Sequence, residues 1–275
     1  MTDSVLIIAG SDSCAGAGIQ IDLKTAAAHG VYATCAITAV TAQNTEQVRA
    51  IQVVDPEIVA AQVDAVFADI PPKAVKIGML GSAAVAASVA DALARHPEAP
   101  IVLDPVLVAT AGGTLTEAAA FDVIRNTLMK QAALVTPNLP EASALSGVRI
   151  SDAAGRDAAA RAFLDAGVQA VLIKGGHAAQ EEVEDCLYTS AGVERFTARR
   201  LPGEYHGTGC SLSTAVACNL ARGASLAQAV AAAHAYLADV LRHTVDAGHG
   251  TCIFDPLNRL REPYGAPASG SAGQV

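Results

Sequence analysis

Residues 206–210 read His206-Gly207-Thr208-Gly209-Cys210 and run directly into an alanine-rich segment with helical spacing. Two glycines let the backbone turn tightly, so that successive N–H groups can converge on one concave space. The helix that follows adds the positive end of its macrodipole. Together these features suit an anion such as a transferring phosphoryl group. Cys210 falls on the first turn, where the same field pushes a thiol toward thiolate and would let it act as a base. The plain alternative is a glycine-rich helix entry that holds a small buried cysteine.

Other segments carry chemistry of a matching kind. Gly10-Ser11-Asp12-Ser13-Cys14-Ala15-Gly16-Ala17-Gly18 joins a strand to a helix, as phosphate and dinucleotide loops do. It is not G-x-G-x-x-G, because Ile21 replaces the third glycine, and no Gly-Lys-Ser/Thr completes a Walker A loop. Asp104-Pro105-Val106 places a carboxylate at a strand end, and Asn138-Leu139-Pro140-Glu141 adds an amide and a second carboxylate. Such oxygen ligands suit Mg²⁺ held largely through water and substrate phosphates, although a first-turn glutamate is also an ordinary helix feature. In Lys174-Gly175-Gly176-His177 the lysine supplies a point charge and the glycines would admit a polyphosphate; a surface turn is the competing reading. Gln43 offers a donor and an acceptor to the edge of an amino-heterocycle, or serves as a polar turn residue. Met79 suits the wall of a flat ligand's pocket, or plain core packing. His206 reads as a loop or core histidine, since no second metal ligand stands at matching spacing.

These residues need a frame. Val5–Ala9 reads as a buried strand stopped by Gly10, and 18–30 as a helix. Strands are expected at 32–40, 74–77, 101–103, 134–136 and 170–173, with a hairpin over 184–200 that turns at Ser190-Ala191-Gly192. Helices are expected from Pro56 to about Phe67, from a Ser82 cap to about Arg95, from a Thr116 cap onward, near 139–146 and 152–166, and over 208–222 and 225–243. Alternating strands and helices imply a mostly parallel sheet with helices on both faces, an α/β fold. Ligands then bind outside the carboxyl ends of the strands. Gly10, Gly78, Asp104, Asn138 and Lys174 all fall there. Residues 262–275 are small, polar and proline-bearing, and are expected to form a disordered tail behind one domain spanning 1–261.

Composition narrows the classes. The 275 residues carry a formal net charge of −9, and the longest basic run is Arg199-Arg200, which argues against nucleic acid as a partner. The six cysteines form no C-x-x-C pair and suit reduced thiols in the cytoplasm. Val5–Ala9 is too short for a signal peptide, and no apolar run reaches the roughly 20 residues of a membrane helix.

The segments AGSD…GAGIQIDLKT, TAQNT, KIGML, VLDPV, TPNLPEA, KGGH and HGTGCSLSTA, in that order, resemble the hydroxymethylpyrimidine/phosphomethylpyrimidine kinases of thiamine biosynthesis. That family is a branch of the ribokinase-like superfamily, and the likeness runs from about Val5 to Pro256. It implies a ribokinase-like α/β fold and a bifunctional, ATP- and Mg²⁺-dependent phosphotransferase. The expected reactions phosphorylate 4-amino-5-hydroxymethyl-2-methylpyrimidine to its monophosphate and then to its pyrophosphate. By the same resemblance, Gln43 bonds the aminopyrimidine, and Gly10, Ala17, Met79 and Val106 or Leu107 line its pocket. Asp104 and Glu141 hold Mg²⁺, and Lys174 and Asn138 face the nucleotide. Gly207, Thr208, Gly209 and the Cys210 amide form the anion hole, with cysteine where most of the superfamily has an aspartate base. A homodimer is also implied. Two places depart from the family pattern: Ser-Asp-Ser-Cys-Ala-Gly in the first loop, and His234 where many relatives carry lysine. The competing assignments are a pyridoxal kinase of the same branch and a non-catalytic pyrimidine sensor.

Overall fold

The computed structural model describes residues 2–107, 117–176 and 181–260. Nine strands form one sheet in the order β3-β2-β1-β4-β5-β6-β7-β8-β9. They are β1 (Ser4–Asp12), β2 (Tyr32–Gln43), β3 (Val48–Val53), β4 (Ala74–Ile77), β5 (Ile101–Leu103), β6 (Leu134–Val135), β7 (Ala170–Ile173), β8 (Glu182–Thr189) and β9 (Gly192–Arg199). The six from β2 to β7 in sheet order run parallel, while β3, β8 and β9 are antiparallel additions at the two edges. The central strands are mostly apolar runs, with Lys76 standing inside β4, as burial on both faces requires of the rest.

Two apolar layers enclose the sheet. On one face pack α2 (Pro56–Asp69), α3 (Ala83–Ala94), α6 (Leu139–Ser146) and α7 (Ala153–Asp165). On the same face α4 (Ala118–Val123) continues through a π-helical turn into α5 (Met129–Gln131). The other face is covered by α1 (Gly18–Ala28), α8 (Thr208–Ala221) and α9 (Leu226–Val240). The helix starts have local causes: Asp55, Ser82 and Asp152 side chains accept backbone N–H groups, and Asn138 with Glu141 makes a capping box. A short pair, β10 (Thr244–Val245) and β11 (Ile253–Phe254), closes the described chain. Among the described residues no helix is long and apolar enough to cross a membrane.

The α/β layering, the helix at 139–146 and the strands 74–77, 101–103 and 170–173 agree with the sequence reading. Three details differ. β1 does not stop at Gly10; it shifts register against β2 between Ala9 and Ser11 and continues to Asp12. β2 runs on to Gln43, because β3 pairs with it as an antiparallel edge ribbon that the sequence reading did not foresee. Glu117, not Thr116, stands at the N-cap of α4, and makes no side-chain cap bond. Thr116 and the 262–275 tail lie outside the described residues.

Strand order reverses between β1 and β4, since the chain leaves β1 for β2 on one side and returns to β4 on the other. Crevices open at such switch points. Here the carboxyl ends of β1, β4, β5 and β7 border a cavity of about 1350 Å³.

Candidate active site

The anion loop is built as the sequence suggests. Gly207 has φ +77 and stands as N-cap of α8, with no side chain to occupy the free amides. An added Cβ would lie 2.0 Å from the Gly16 carbonyl oxygen, so the two glycine-rich loops touch backbone to backbone. A Cβ on Gly209 would lie 2.9 Å from Lys174 Nζ and 3.5 Å from Asp104 Oδ2. The start of α8 is therefore in direct contact with the charged residues at the ends of β5 and β7.

Those residues interlock. Lys174 Nζ donates to Asp104 Oδ1 at 2.8 Å, and Thr136 Oγ1 donates to the same oxygen at 3.2 Å. Burial opposes the Lys174 charge, but Asp104 and then Glu141 outweigh it and hold the ammonium above its ordinary range. Glu141 Oε2 accepts the Asn138 amide at 2.8 Å, and Asn138 Oδ1 accepts the Glu141 amide at 2.9 Å. Glu141 is thus both the helix-cap carboxylate and a wall of the cavity. Burial pushes its carboxyl up to about 7; Lys174 opposes the rise and Asp104 adds to it. Two buried carboxylates beside one lysine form an oxygen donor set that fits a divalent cation.

Lys174 ends at a bridge to Asn138, and the following glycines divide their work. A Cβ on Gly175 would lie 2.2 Å from the Glu184 carbonyl oxygen, so this glycine admits β8 and not a polyphosphate. Gly176 has open space and borders the cavity. His177 lies outside the described residues.

At the β1 end, Gly10 and Met79 face each other: a Cβ on Gly10 would lie 3.1 Å from Met79 Sδ. Ala17, Val106 and Gln43 border the same cavity, as does Leu107. Asp12 organises the first loop. Its Oδ1 accepts the Cys14 amide at 2.9 Å, and its Oδ2 accepts the Gly16 and Ala17 amides at 3.1 and 2.8 Å. His206 Nε2 lies 3.1 Å from the same Oδ2 and 2.8 Å from Gln43 Nε2. Burial works against the Asp12 charge, but the His206 and backbone hydrogen bonds prevail and hold its carboxyl below the usual range. Cys14 Sγ donates to Oδ2 at 3.3 Å, which brings three ligand atoms of metal-binding type together. With its lone pairs already taken by N–H donors, Asp12 acts as a loop organiser.

The structure corrects the reading of Cys210. Its thiol packs beside Ile21, Val240 and Phe254, and burial pushes it up to about 12; Lys76 pulls the other way but loses. Burial prevails over the influences that favour the thiolate, so the thiol form is favoured. Lys76, which sequence reading left without a role, is wholly buried and lines the cavity. Its Nζ donates to Asp22 Oδ2 at 2.6 Å, while Asp22 Oδ1 accepts Thr214 Oγ1 of α8 at 2.8 Å. Burial disfavours the Lys76 charge and Asp22 more than restores it. A lysine inside an apolar strand was its only sequence signal. His234, on α9, also borders the cavity, with Nε2 3.9 Å from Asp185 Oδ2.

Comparison with known proteins identifies the arrangement. The phosphomethylpyrimidine kinase family model matches residues 12–255. The hydroxymethylpyrimidine/phosphomethylpyrimidine kinase of Rhizobium meliloti is 47% identical over 239 residues, covering 86% of this chain and 90% of that one. The thiamine biosynthesis bifunctional protein ThiED of Geobacter sulfurreducens is 44% identical over 260 residues; these are 94% of this chain, which spans only about half (52%) of that longer protein. The pyridoxal kinase of Staphylococcus aureus, solved with AMP-PCP and pyridoxal, superposes with a TM-score of 0.85 at 29% identity, covering 93% of this chain and 94% of that one. A sheet that opens at the β1/β4 switch point, an α8 anion loop and a family match over nearly all of the described core lead to one conclusion: the chain belongs to the phosphomethylpyrimidine kinase family.

Proposed function

We propose that this chain transfers the γ-phosphoryl group of ATP to the hydroxymethyl oxygen of 4-amino-5-hydroxymethyl-2-methylpyrimidine, and then a second phosphoryl group to the resulting monophosphate, in thiamine biosynthesis. The observation that carries the reading is one cavity in which the α8 anion loop meets Lys174 and Asp104 at one end, with Gln43, Gly10 and Met79 at the other. A flat heterocycle and a polyphosphate can then meet at the loop. Identity to the pyrimidine enzymes, at 47%, exceeds that to the pyridoxal kinase, at 29%.

The roles follow from the contacts. Gly207, Thr208, Gly209 and the Cys210 amide cradle the phosphoryl group in flight, and fixed donors of this kind need no reorganisation as charge develops. Lys174 holds the nucleotide phosphates, with Asn138 beside it. Asp104 and Glu141 are the residues that would hold Mg²⁺, which would supply positive charge to the phosphates when bound. Gln43 bonds the ring edge, while Ala17, Met79 and Val106 enclose the ring. Cys210, being a thiol, orients the acceptor hydroxyl, and the hydroxyl proton passes to an oxygen of the transferred phosphoryl group as the new P–O bond forms. A loose phosphoryl transition state demands little of a base.

The complex with AMP-PCP supports ATP as donor. We further take residues 1–261 as one catalytic domain that works as a homodimer in the cytoplasm, a setting that suits six unpaired cysteines. The test is a coupled assay with ATP and Mg²⁺ that offers hydroxymethylpyrimidine, its monophosphate and pyridoxal in parallel, with products followed by mass. Successive mono- and pyrophosphate products support the proposal. Turnover of pyridoxal alone would overturn it.

A further inference from the structure

His206 Nε2 sits between two groups of opposite demand: Asp12 Oδ2 at 3.1 Å and the Gln43 side-chain amide at 2.8 Å. A carboxylate only accepts. A neutral imidazole nitrogen carries either a proton or a lone pair, never both. Suppose Nε2 carries the lone pair. That lone pair then faces the carboxylate, and the ring proton moves to Nδ1. Nδ1 is buried and has no hydrogen-bond partner among the described residues. The ring would hold an orphaned donor and a repulsion at once.

Suppose instead that Nε2 carries the proton. It donates to Asp12, and Nδ1 is left as an unpaired acceptor, which is tolerated better than an unpaired donor. The ring cannot swing away, because a Cβ on Gly16 would already lie 2.5 Å from its Cδ2, and the His206 backbone amide is tied to the Cys252 carbonyl at 2.9 Å. An N–H at Nε2 cannot face an amide N–H. The Gln43 amide must therefore present its carbonyl to His206, a half-turn that exchanges two groups of nearly equal shape.

We propose that Asp12 fixes the Nε2–H tautomer of His206, and that His206 thereby turns the Gln43 carbonyl toward itself and the Gln43 NH₂ into the cavity. His206 is then a positioning residue for substrate selection. A presented NH₂ favours a ring edge with an acceptor nitrogen, as a pyrimidine has, over an edge that offers C–H or a donor. The inference rests on Gln43 being the ring contact, as proposed above.

Two measurements test it. Nitrogen-15 NMR of histidine-labelled full-length protein, with His206→Gln giving the assignment, is expected to show the proton on Nε2; a proton on Nδ1 overturns the inference. Kinetics then compare kcat/KM for hydroxymethylpyrimidine with that for a hydroxymethylpyridine that offers C–H in place of the acceptor ring nitrogen. His206→Leu is expected to lower this preference at least roughly tenfold, mainly through the KM of the pyrimidine. His206→Gln, whose side-chain amide can donate from a similar place, is expected to recover most of it. In a Gln43→Ala background, His206→Leu is expected to change the preference no further. An independent, additive effect there overturns the role of His206 alone. A Gln43→Ala variant with unchanged preference overturns the reading of Gln43, and this inference with it. If His206→Leu does not fold, the NMR result and His206→Gln decide.

Discussion

Lys174 Nζ donates to Asp104 Oδ1 at 2.8 Å, and both groups lie against Gly209, where an added Cβ would come within 2.9 Å of the ammonium. Lysine, carboxylate and anion loop are thus one mechanical unit. Removing the ammonium takes away a point charge from the place where phosphoryl charge develops. Lys174→Met is expected to lower kcat by roughly 10²–10³-fold, the range for loss of one preorganised donor. Lys174→Arg is not expected to rescue it, since the guanidinium is larger than the space Gly209 leaves. Steady-state kinetics over a range of ATP concentrations measures both. Near-wild-type kcat in Lys174→Met would remove Lys174 from the transfer site.

Gly207 carries a backbone conformation and a contact that no other residue accepts. With φ +77 and the Gly16 carbonyl 2.0 Å from a would-be Cβ, Gly207→Ala must separate the two loops. The strain alone is worth roughly 1–3 kcal/mol. Both a lower melting temperature and loss of activity in both phosphorylation steps are expected, by calorimetry and by the coupled assay. Unchanged stability would show that the loops do not depend on each other.

Glu141 combines two duties that one substitution can separate. Glutamine keeps the capping box, since an amide can also accept the Asn138 N–H, but it cannot hold a cation as a carboxylate does. Glu141→Gln is therefore expected to fold normally and to raise the Mg²⁺ concentration needed for half-maximal rate by about tenfold. Its pH signature has a definite sign. The folded pKa is raised to about 7 from 4.5, so the native state binds the proton more tightly than the unfolded chain does. Glu141 then contributes stability below pH 4.5 that is lost as pH rises through about 7, up to roughly 3 kcal/mol. Metal-free protein is expected to lose denaturation free energy between pH 5 and pH 8, and Glu141→Gln to flatten that slope. A slope unchanged by the substitution would place the titration elsewhere.

Cys210 separates the two reactions. The first acceptor is a hydroxyl that the Cys210 thiol orients; the second is already a phosphate. Cys210→Ala is expected to reduce the first step tenfold or more while changing the second by less than about threefold. Equal losses in both steps would leave the thiol only a packing role beside Ile21 and Phe254.

What was legible in the sequence follows the range of each physical cause. Apolar runs and local caps placed most elements, because Val-Leu-Ile-Ile or Ser82 acts within its own turn or strand. The edge strand β3 is hard to read because Arg49 and Gln52 interrupt its pattern and half of its residues are exposed. Gln43 was singled out as a heterocycle contact, but His206, 163 residues away, was not seen to hold it. The Cys210 thiol follows the same rule. The helix field that lowers a thiol pKa is local, whereas the burial that raises it comes from α1, α9 and the 253–254 strand. Lys76 showed only as a charge in an apolar strand, since its partner Asp22 lies 54 residues away.

That last pair gives the sharpest test of how the site is held. Lys76 and Asp22 are both fully buried, 2.6 Å apart, and Thr214 ties Asp22 to α8. The pair therefore fastens β4 and α1 to the anion-loop helix. Breaking a buried pair from one side strands a charge, at a cost of roughly 3–5 kcal/mol, whereas replacing both partners with apolar groups is often close to neutral. Lys76→Met is expected to lose that amount of stability in urea denaturation, and Lys76→Met with Asp22→Leu to recover most of it. The double variant is not expected to recover activity, because Thr214 has lost its acceptor and no charge lies below Cys210. If stability and activity return together, the pair is scaffolding only. If stability returns and kcat stays at least tenfold down, the charge serves the reaction as well as the fold.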